Sequence, residues 1–515
     1  MIGNWTQTDD AQLHQLFKEI NTFSEWIFQH HEYKRPRGAK VIHDGVWGTS
    51  RYNDFEISLI NSPLMQRLRN IHQTAYTFFT YPSSHHTRFD HSLGVTSQVG
   101  KLYSALKNKF QYSKDEKDQL PDDFQTLRTA ALLHDCGHGP FSHTSEEIYK
   151  FYPEIEALLR NIPFKSASPH EAMSSLIILS KSFQEFLNKV CIACNKQIDR
   201  KLMVEAIVGY VSDPNSRYKV DFLNGPFDAD KLDYLFRDGH FSGLPLNIDL
   251  DRLWYAIDIN MAEENRRLTV DWGGTSSLEQ IMFAKMTLYP AVYHHHKVRA
   301  CDCMYKGIIE YIKSLSIPFN DFIKSDDKSS LFERAIHFLY FDDNKVFEIL
   351  ARRSEDIKLH KLIHNLFYRR LLKRCVVISA DTIEEIESLD HILKYREEFE
   401  EKYREIADDI LEEAGRVAEN EEIGVDCPSD PNFNSAFDTW ISPLKNGDCE
   451  FNLTKFFSIT QWADQYKHRK WRGHVFCPAD KVDVFTKATK KVFEEKLKIR
   501  FKPIAFELCH IQPPN

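Results

Sequence analysis

A chain of 515 residues with a formal net charge of −9 is too long for one compact core and too acidic for a protein that lives on duplex-phosphate contacts. Its ten scattered cysteines fit a reducing compartment better than a disulfide framework, and no apolar run reaches a membrane span. The N-terminus, MIGNWTQTDDAQ, is polar and acidic rather than a signal peptide, so the expectation is a cytoplasmic protein of two or three subdomains without membrane contact.

In chain order, residues 1–35 predict a helix with Leu13, Phe17, Ile20, Phe23, Trp26 and Ile27 on one face. Lys40–Gly48 reads as a short extended segment ending in a turn. Its His43-Asp44 pair lies outside a helical run and has no histidine neighbours, so it is a weak ligand candidate. Ile57–Ile71 has helical spacing with Arg67 and Arg69 interleaved, a solvated face or a phosphate contact. The loop Tyr81–Arg88 feeds a helix with Val95, Val99, Leu102 and Leu106 on its buried stripe, and His91 falls one turn before Val95.

The stretch Leu127–Glu146, LRTAALLHDCGHGPFSHTSE, organises the rest. Leu127, Ala130, Ala131 and Leu133 make a buried helix, and His134 and Asp135 stand side by side where it runs out. His138, His143 and Glu146 follow around the Gly139-Pro140 break. Neighbouring helical residues point about 100° apart, so such a pair converges on one ion best at a helix end. Imidazole and carboxylate at this density form a divalent-metal pattern rather than a surface pattern. A lone His91 reads as a satisfied core histidine; beside this stretch it also becomes a third candidate ligand.

Further on, His170 and Glu171 open a helix over 169–181. Cys191 and Cys194 form a single pair without a second one, a weak zinc candidate. In Phe227–Gly243, Leu232, Leu235 and Phe236 form the apolar face of a helix. Asp230 and Asp238 share another face with Tyr234 between them, and Asp228 and Asp233 read as plain solubility. His294, His295 and His296 are consecutive, so they cannot all face one site. Residues 310–370 look helical, and Asn365–Thr382 is a basic helix running into a strand, with a small sheet expected around Val376–Ala380. Residues 383–424 read as an exposed charged helical arm. A loop with Pro428, Pro431 and Gly447 follows, then Trp462, Tyr466, Trp471 and Phe476, and a basic C-terminal segment.

Taken together, His91, His134-Asp135 and Asp230 give H…HD…D, which resembles the HD-domain phosphohydrolase superfamily. The stretches QRLRNIHQ (66–73), TRFDHSLGV (87–95), LLHDCGHGPFSH (132–143), HEAMS (170–174), DADKLDYLFRD (228–238) and VYHHHKVRA (292–300) are similar in order and spacing to the deoxynucleoside triphosphate triphosphohydrolases. The likeness covers about residues 38–310, with a weaker echo at RRLLKR (369–374).

The resemblance implies a mainly α protein: an N-terminal helical segment (1–37), an HD-domain helical core (38–310) and a smaller helical or α+β C-terminal region (311–515). It implies a divalent ion, Mn, Mg, Fe, Co, Ni or Zn, held by His91, His134, Asp135 and Asp230. It implies hydrolysis of a deoxynucleoside triphosphate to deoxynucleoside and triphosphate, with His143 as general acid, Glu146 bonded to it, and His138 and His170 on the phosphates. Arg88, Lys231 and His295 would neutralise the triphosphate. Gln73, Tyr234 and Asp238 would read the sugar, with Tyr293 beneath it helping to exclude ribonucleotides. Thr74 stands where vertebrate members have leucine.

Relatives activated by nucleotide use a segment matching Lys40, Val41 and His43 and an arginine matching Arg69. Asn61 replaces their guanine-reading carboxylate, so either an activator other than guanine or loss of the site is expected. Homo-oligomers, control or depletion of the deoxynucleotide pool, and antiviral or anti-phage action follow from the same likeness. Two alternatives stay open: hydrolysis of another nucleotide phosphoester, and a nucleotide sensor or single-strand nucleic-acid binder. Nucleic acid is not favoured as a partner.

Overall fold

The first helix forms between Ala11 and Phe28, begun by Asp10, whose carboxylate accepts from the amides of Gln12 and Leu13. Its apolar face buries Leu13, Leu16, Ile20 and Phe23. The computed structural model describes residues 10–110, 123–260, 266–324, 327–351, 355–385, 402–429, 439–442, 451–455 and 470–510.

Strands β1 (Lys40–Asp44) and β2 (Gly48–Tyr52) then pair antiparallel as a hairpin with exposed edges. A capping box at Asn53 and Glu56 starts the next helix, Asp54–Ile60. The long helix Arg88–Phe110 is central, with Val95, Val99, Leu102 and Leu106 fully buried. It packs between the helices Phe124–Leu133 and Ala229–Ser242. The close crossing with the latter depends on Gly94, because a Cβ there would collide with the Asp233 carboxylate.

Helices dominate, and the strands form small sheets. β3 (Ile257–Ile259), β4 (Leu268–Asp271), β7 (Trp440–Ser442) and β8 (Phe451–Asn452) make a four-stranded sheet in that order. β5 (Lys373–Ile378), the strand expected near Val376, lies beside β9 (Gly473–Cys477), which also pairs with β6 (Gly424–Asp426). Among the described residues no helix is long and apolar enough to cross a membrane.

Two apolar cores result. The first runs from Leu13 to Leu366 and takes in Ile441 and Leu453; the second spans Cys375 to Ala505. The helix Ile357–Phe367 buries Leu359, Leu362 and Leu366 in the first core. The expected exposed arm is also packed where it is described. Ile406, Ala407, Ile410, Leu411 and Ala414 belong to the second core, because the charges of 402–414 fall on the opposite face. Trp471 is buried there, Phe476 is buried as well, and the basic C-terminal segment supplies Ala488, Val492 and Phe493 to that core. Trp462, Tyr466, Pro431 and Gly447 lie outside the described residues, as does 386–401 of the charged stretch.

Candidate active site and metal centre

The Phe124–Leu133 helix stops at the residue before His134, which is its C-cap. The following turn packs so tightly on the Pro169–Leu179 helix that a Cβ on Gly137 would overlap the carbonyl of His170 and the amide of Ser174. The HD pair is thereby held at a helix end, as the residue spacing requires.

Three imidazole and carboxylate groups converge here. His91 Nδ1 donates to Asp233 Oδ2 at 2.7 Å, and His134 Nδ1 donates to the Ala131 carbonyl at 2.7 Å. Each backing contact fixes the tautomer and turns Nε2 toward the same point. His91 Nε2 lies 2.9 Å and His134 Nε2 3.7 Å from Asp230 Oδ1. Ligands about 2.1 Å from one ion stand about 3–3.5 Å apart, so this trio fits a divalent ion. His134 Nε2 is buried without a hydrogen-bond partner, which is the mark of a nitrogen reserved for a ligand. Asp135 closes the group, with its carboxylate oxygens 3.5 Å from His134 Nε2 and 3.6 Å from His91 Nε2.

Beside this centre lies a second cluster. Phe141 and Ser142 both have positive φ, 54° and 52°, so the chain enters the His143–Tyr149 helix through strained backbone. Asp343 pins that turn by accepting from the Phe141 amide at 2.6 Å and from the His72 amide and ring. His143 is exposed, and its Nδ1 donates to Glu146 Oε2 at 2.7 Å, leaving Nε2 free. Glu146 also accepts from His170 Nδ1 at 3.0 Å. Burial works against ionisation of Glu146, but His170 and His143 prevail and hold its carboxyl well below the usual range. Burial lowers His170 as well; Glu146 overrides it and raises the imidazole to about 9.

Both clusters open on one cavity of about 470 Å³, lined among others by Asp135, Asp230, His143, His170 and Arg88. Gln73 and Thr74 border it, and Tyr234, Tyr289, Tyr293 and Asp238 form another wall. Asp238 is fully engaged: Oδ1 accepts from His86 Nε2 at 2.7 Å and Oδ2 from the Tyr293 hydroxyl.

Several expected placements differ. His138 is fully buried beneath His170, stacked at 3.9 Å between ring centroids, and does not line the cavity. Burial, with Arg88 and His170 nearby, pushes its imidazole well down. Arg88 borders the cavity, but its guanidinium is spent on Asp135 at 2.8 Å and Ser142 at 2.9 Å. Lys231 turns back to Asp228 at 2.5 Å and the Gly225 carbonyl at 3.0 Å. His294, not His295, lines the cavity; the π-helical turn Tyr289–Tyr293 shifts the register, and His295 caps the next helix beside Tyr81.

Asp228 and Asp233, read as solubility, are both fully buried. Asp228 caps the Ala229–Ser242 helix, and Asp233 orients His91. Lys285, absent from the sequence reading, is buried near Lys231, and burial together with that lysine lowers it to about 7. Cys191 and Cys194 are free thiols. At the hairpin, Val41 is 63% exposed and His43 bonds Thr49 at 3.0 Å. Lys40, Asn61 and Arg69 are exposed too, Arg69 lying over the Phe89 ring.

A helical core with converging His and Asp groups beside a cavity of about 470 Å³ is the arrangement of a metal-dependent phosphohydrolase of the HD type. The comparisons agree: residues 88–207 match the HD domain family, and residues 248–500 match the HD associated region. The chain is an HD-domain protein, and it is dNTPase-like.

Its relatives include an uncharacterised protein of Methanocaldococcus jannaschii, 26% identical over 471 residues, 91% of this chain and 84% of that one. The deoxynucleoside triphosphate triphosphohydrolase SAMHD1 of Xenopus laevis is 32% identical over 241 residues, 42% of this chain and 36% of its own length. Human SAMHD1 is 24% identical over 392 residues, 72% of this chain and 58% of its own length, so the chain spans less than two thirds of these enzymes. A hypothetical protein from Aquifex aeolicus shares the fold, with a TM-score of 0.59 at 20% identity over 88% of this chain and 100% of that one.

Proposed function

We propose that this protein hydrolyses deoxynucleoside triphosphates to deoxynucleoside and inorganic triphosphate, using a divalent ion held by His91, His134, Asp135 and Asp230. The observation that carries the proposal is one cavity with a tyrosine wall, lined by His143 and Glu146 and by Asp135 and Asp230 of the metal group. The relatives named as deoxynucleoside triphosphate triphosphohydrolases support the substrate class.

A bound divalent ion polarises a phosphoryl oxygen and lowers the pKa of a water. The protein's own groups do the rest. With Nδ1 donating to an ionised Glu146, His143 presents Nε2 to the departing 5′-oxygen and gives it the proton the alkoxide needs. His170, kept positive by Glu146, faces the cavity where phosphate charge must be met. Arg88 holds Asp135 and the Ser142 turn in place and so positions ligand and acid together. Tyr293 and His86 lock Asp238, and with Tyr234 and Gln73 they form a rigid wall against which the sugar is read.

A panel of dNTPs, ribonucleoside triphosphates and deoxynucleoside monophosphates with Mn²⁺ tests the substrate class. Turnover restricted to the dNTPs is the expected result; turnover of monophosphates would place the protein among other nucleotide phosphohydrolases.

A further inference from the structure

The helix His143–Tyr149 has only seven residues and follows two residues of positive φ, so it cannot fix its own direction. Yet it carries His143 and Glu146. On its other side Glu147 reaches a buried guanidinium, that of Arg299 on the helix His296–Ser314. Arg299 Nη1 and Nη2 each donate to a Glu147 oxygen at 3.2 Å. Its Nη2 also donates to Asp426 Oδ1 at 2.6 Å and its Nε at 3.1 Å, while Nη1 reaches Asp302 Oδ2 at 3.2 Å. Asp302 in turn accepts from the Thr144 hydroxyl at 2.7 Å. Asp426 ends β6, which pairs with β9 inside the second core. The short helix is thus gripped at Thr144 and Glu147, either side of Glu146, by one arginine whose third partner belongs to the second core.

We infer that Arg299 and Asp426 are positioning residues that act through Glu147, setting His143 and Glu146 in line with the metal centre from the second core. Arg299 borders the cavity that His143 and Glu146 line, Asp426 lies outside it, and neither holds a group of the reaction itself. A carboxylate arginine fork gives direction as well as attraction, and breaking a buried one leaves an uncompensated charge that shifts its neighbours. A shift of the order of 1 Å at a catalytic group is enough to cost roughly a hundredfold in rate.

Only the kinetic arm of the test rests on the phosphohydrolase reading. Asp426→Asn and Glu147→Gln are each expected to lower kcat for dNTP with Mn²⁺ by roughly tenfold or more, leaving KM and bound Mn²⁺ unchanged. Arg299→Lys, which keeps the charge but not the fork, is expected to fall between them and wild type. In a His143→Ala background Asp426→Asn is expected to cost nothing further. Hydrogen exchange supplies the second arm: peptides over 141–150 exchange faster in Asp426→Asn, and those over 473–495 are unchanged.

Unchanged kcat, or faster exchange confined to the second core, would overturn the inference and leave the cluster as a brace for that core alone. If wild type turns over no dNTP, the reaction reading fails while the exchange arm still decides the inference.

Discussion

Asp233 Oδ2 accepts the Nδ1 proton of His91 at 2.7 Å, and this contact decides which imidazole nitrogen faces Asp230 in the metal group. Asp233 also accepts from Arg237 at 2.8 Å and 3.0 Å and from Trp47 Nε1 at 2.5 Å. Burial alone would raise its pKa, but Arg237 and His91 hold it at about 2, so it is an anion with four donors. Such a group makes its histidine a better and better-aimed ligand. Asp233→Asn should weaken Mn²⁺ binding roughly 10–100-fold, read by metal titration of the folded variant. Wild-type affinity in that variant would show that His91 needs no such backing.

His143→Ala should lower kcat roughly 10²–10⁴-fold while bound metal and substrate affinity persist. The reason is positional: His143 is exposed and bonded to Glu146, whereas His91 and His134 are buried. Loss of metal in this variant would make His143 a ligand instead of an acid.

The parts of the site that lie close together in the chain were legible. The HD pair at a helix end, the acid three residues after His143, and His91 on a buried stripe follow from spacing alone. Burial of acids was not legible. Asp233 looks like the solvent side of its helix until Arg88–Phe110 crosses it at Gly94, and Asp228 is buried as the cap of that helix, bonded to Lys231. The π turn at Tyr289–Tyr293 likewise has no periodic signature, so which of three histidines reaches the cavity was decided by backbone geometry. The pairing of Arg88 with Asp135, and of Arg299 with Asp426, joins residues 47 and 127 apart and depends on the fold.

Stability should fall as pH rises because of Asp302. Burial, partly opposed by Arg299, raises its carboxyl from the ordinary 3.8 to about 7 in the folded protein. Between those values the native state holds a proton that the unfolded chain has lost, so each step upward in pH favours unfolding, up to about 7. Asp302→Asn removes the titration while its amide oxygen still accepts from Thr144. The melting temperature of the variant relative to wild type should therefore increase from pH 5 to pH 8; a constant difference would mean that Asp302 does not titrate in this window.

Asn61, which matches the guanine-reading position of nucleotide-activated relatives, is exposed at the C-cap of the Asp54–Ile60 helix. An amide oxygen cannot accept from both guanine N–H donors as a carboxylate does. In a screen of nucleotides added to a slow dNTP reaction, guanine nucleotides are expected not to lead. Strongest activation by GTP or dGTP would contradict this reading of Asn61.

Which phosphate ester bond breaks is read by ³¹P NMR of the products from dNTP and Mn²⁺. Intact triphosphate is expected to appear together with deoxynucleoside from the first turnover. Orthophosphate or pyrophosphate with deoxynucleoside di- or monophosphate would contradict it, because His143 would then not be serving a 5′-oxygen leaving group.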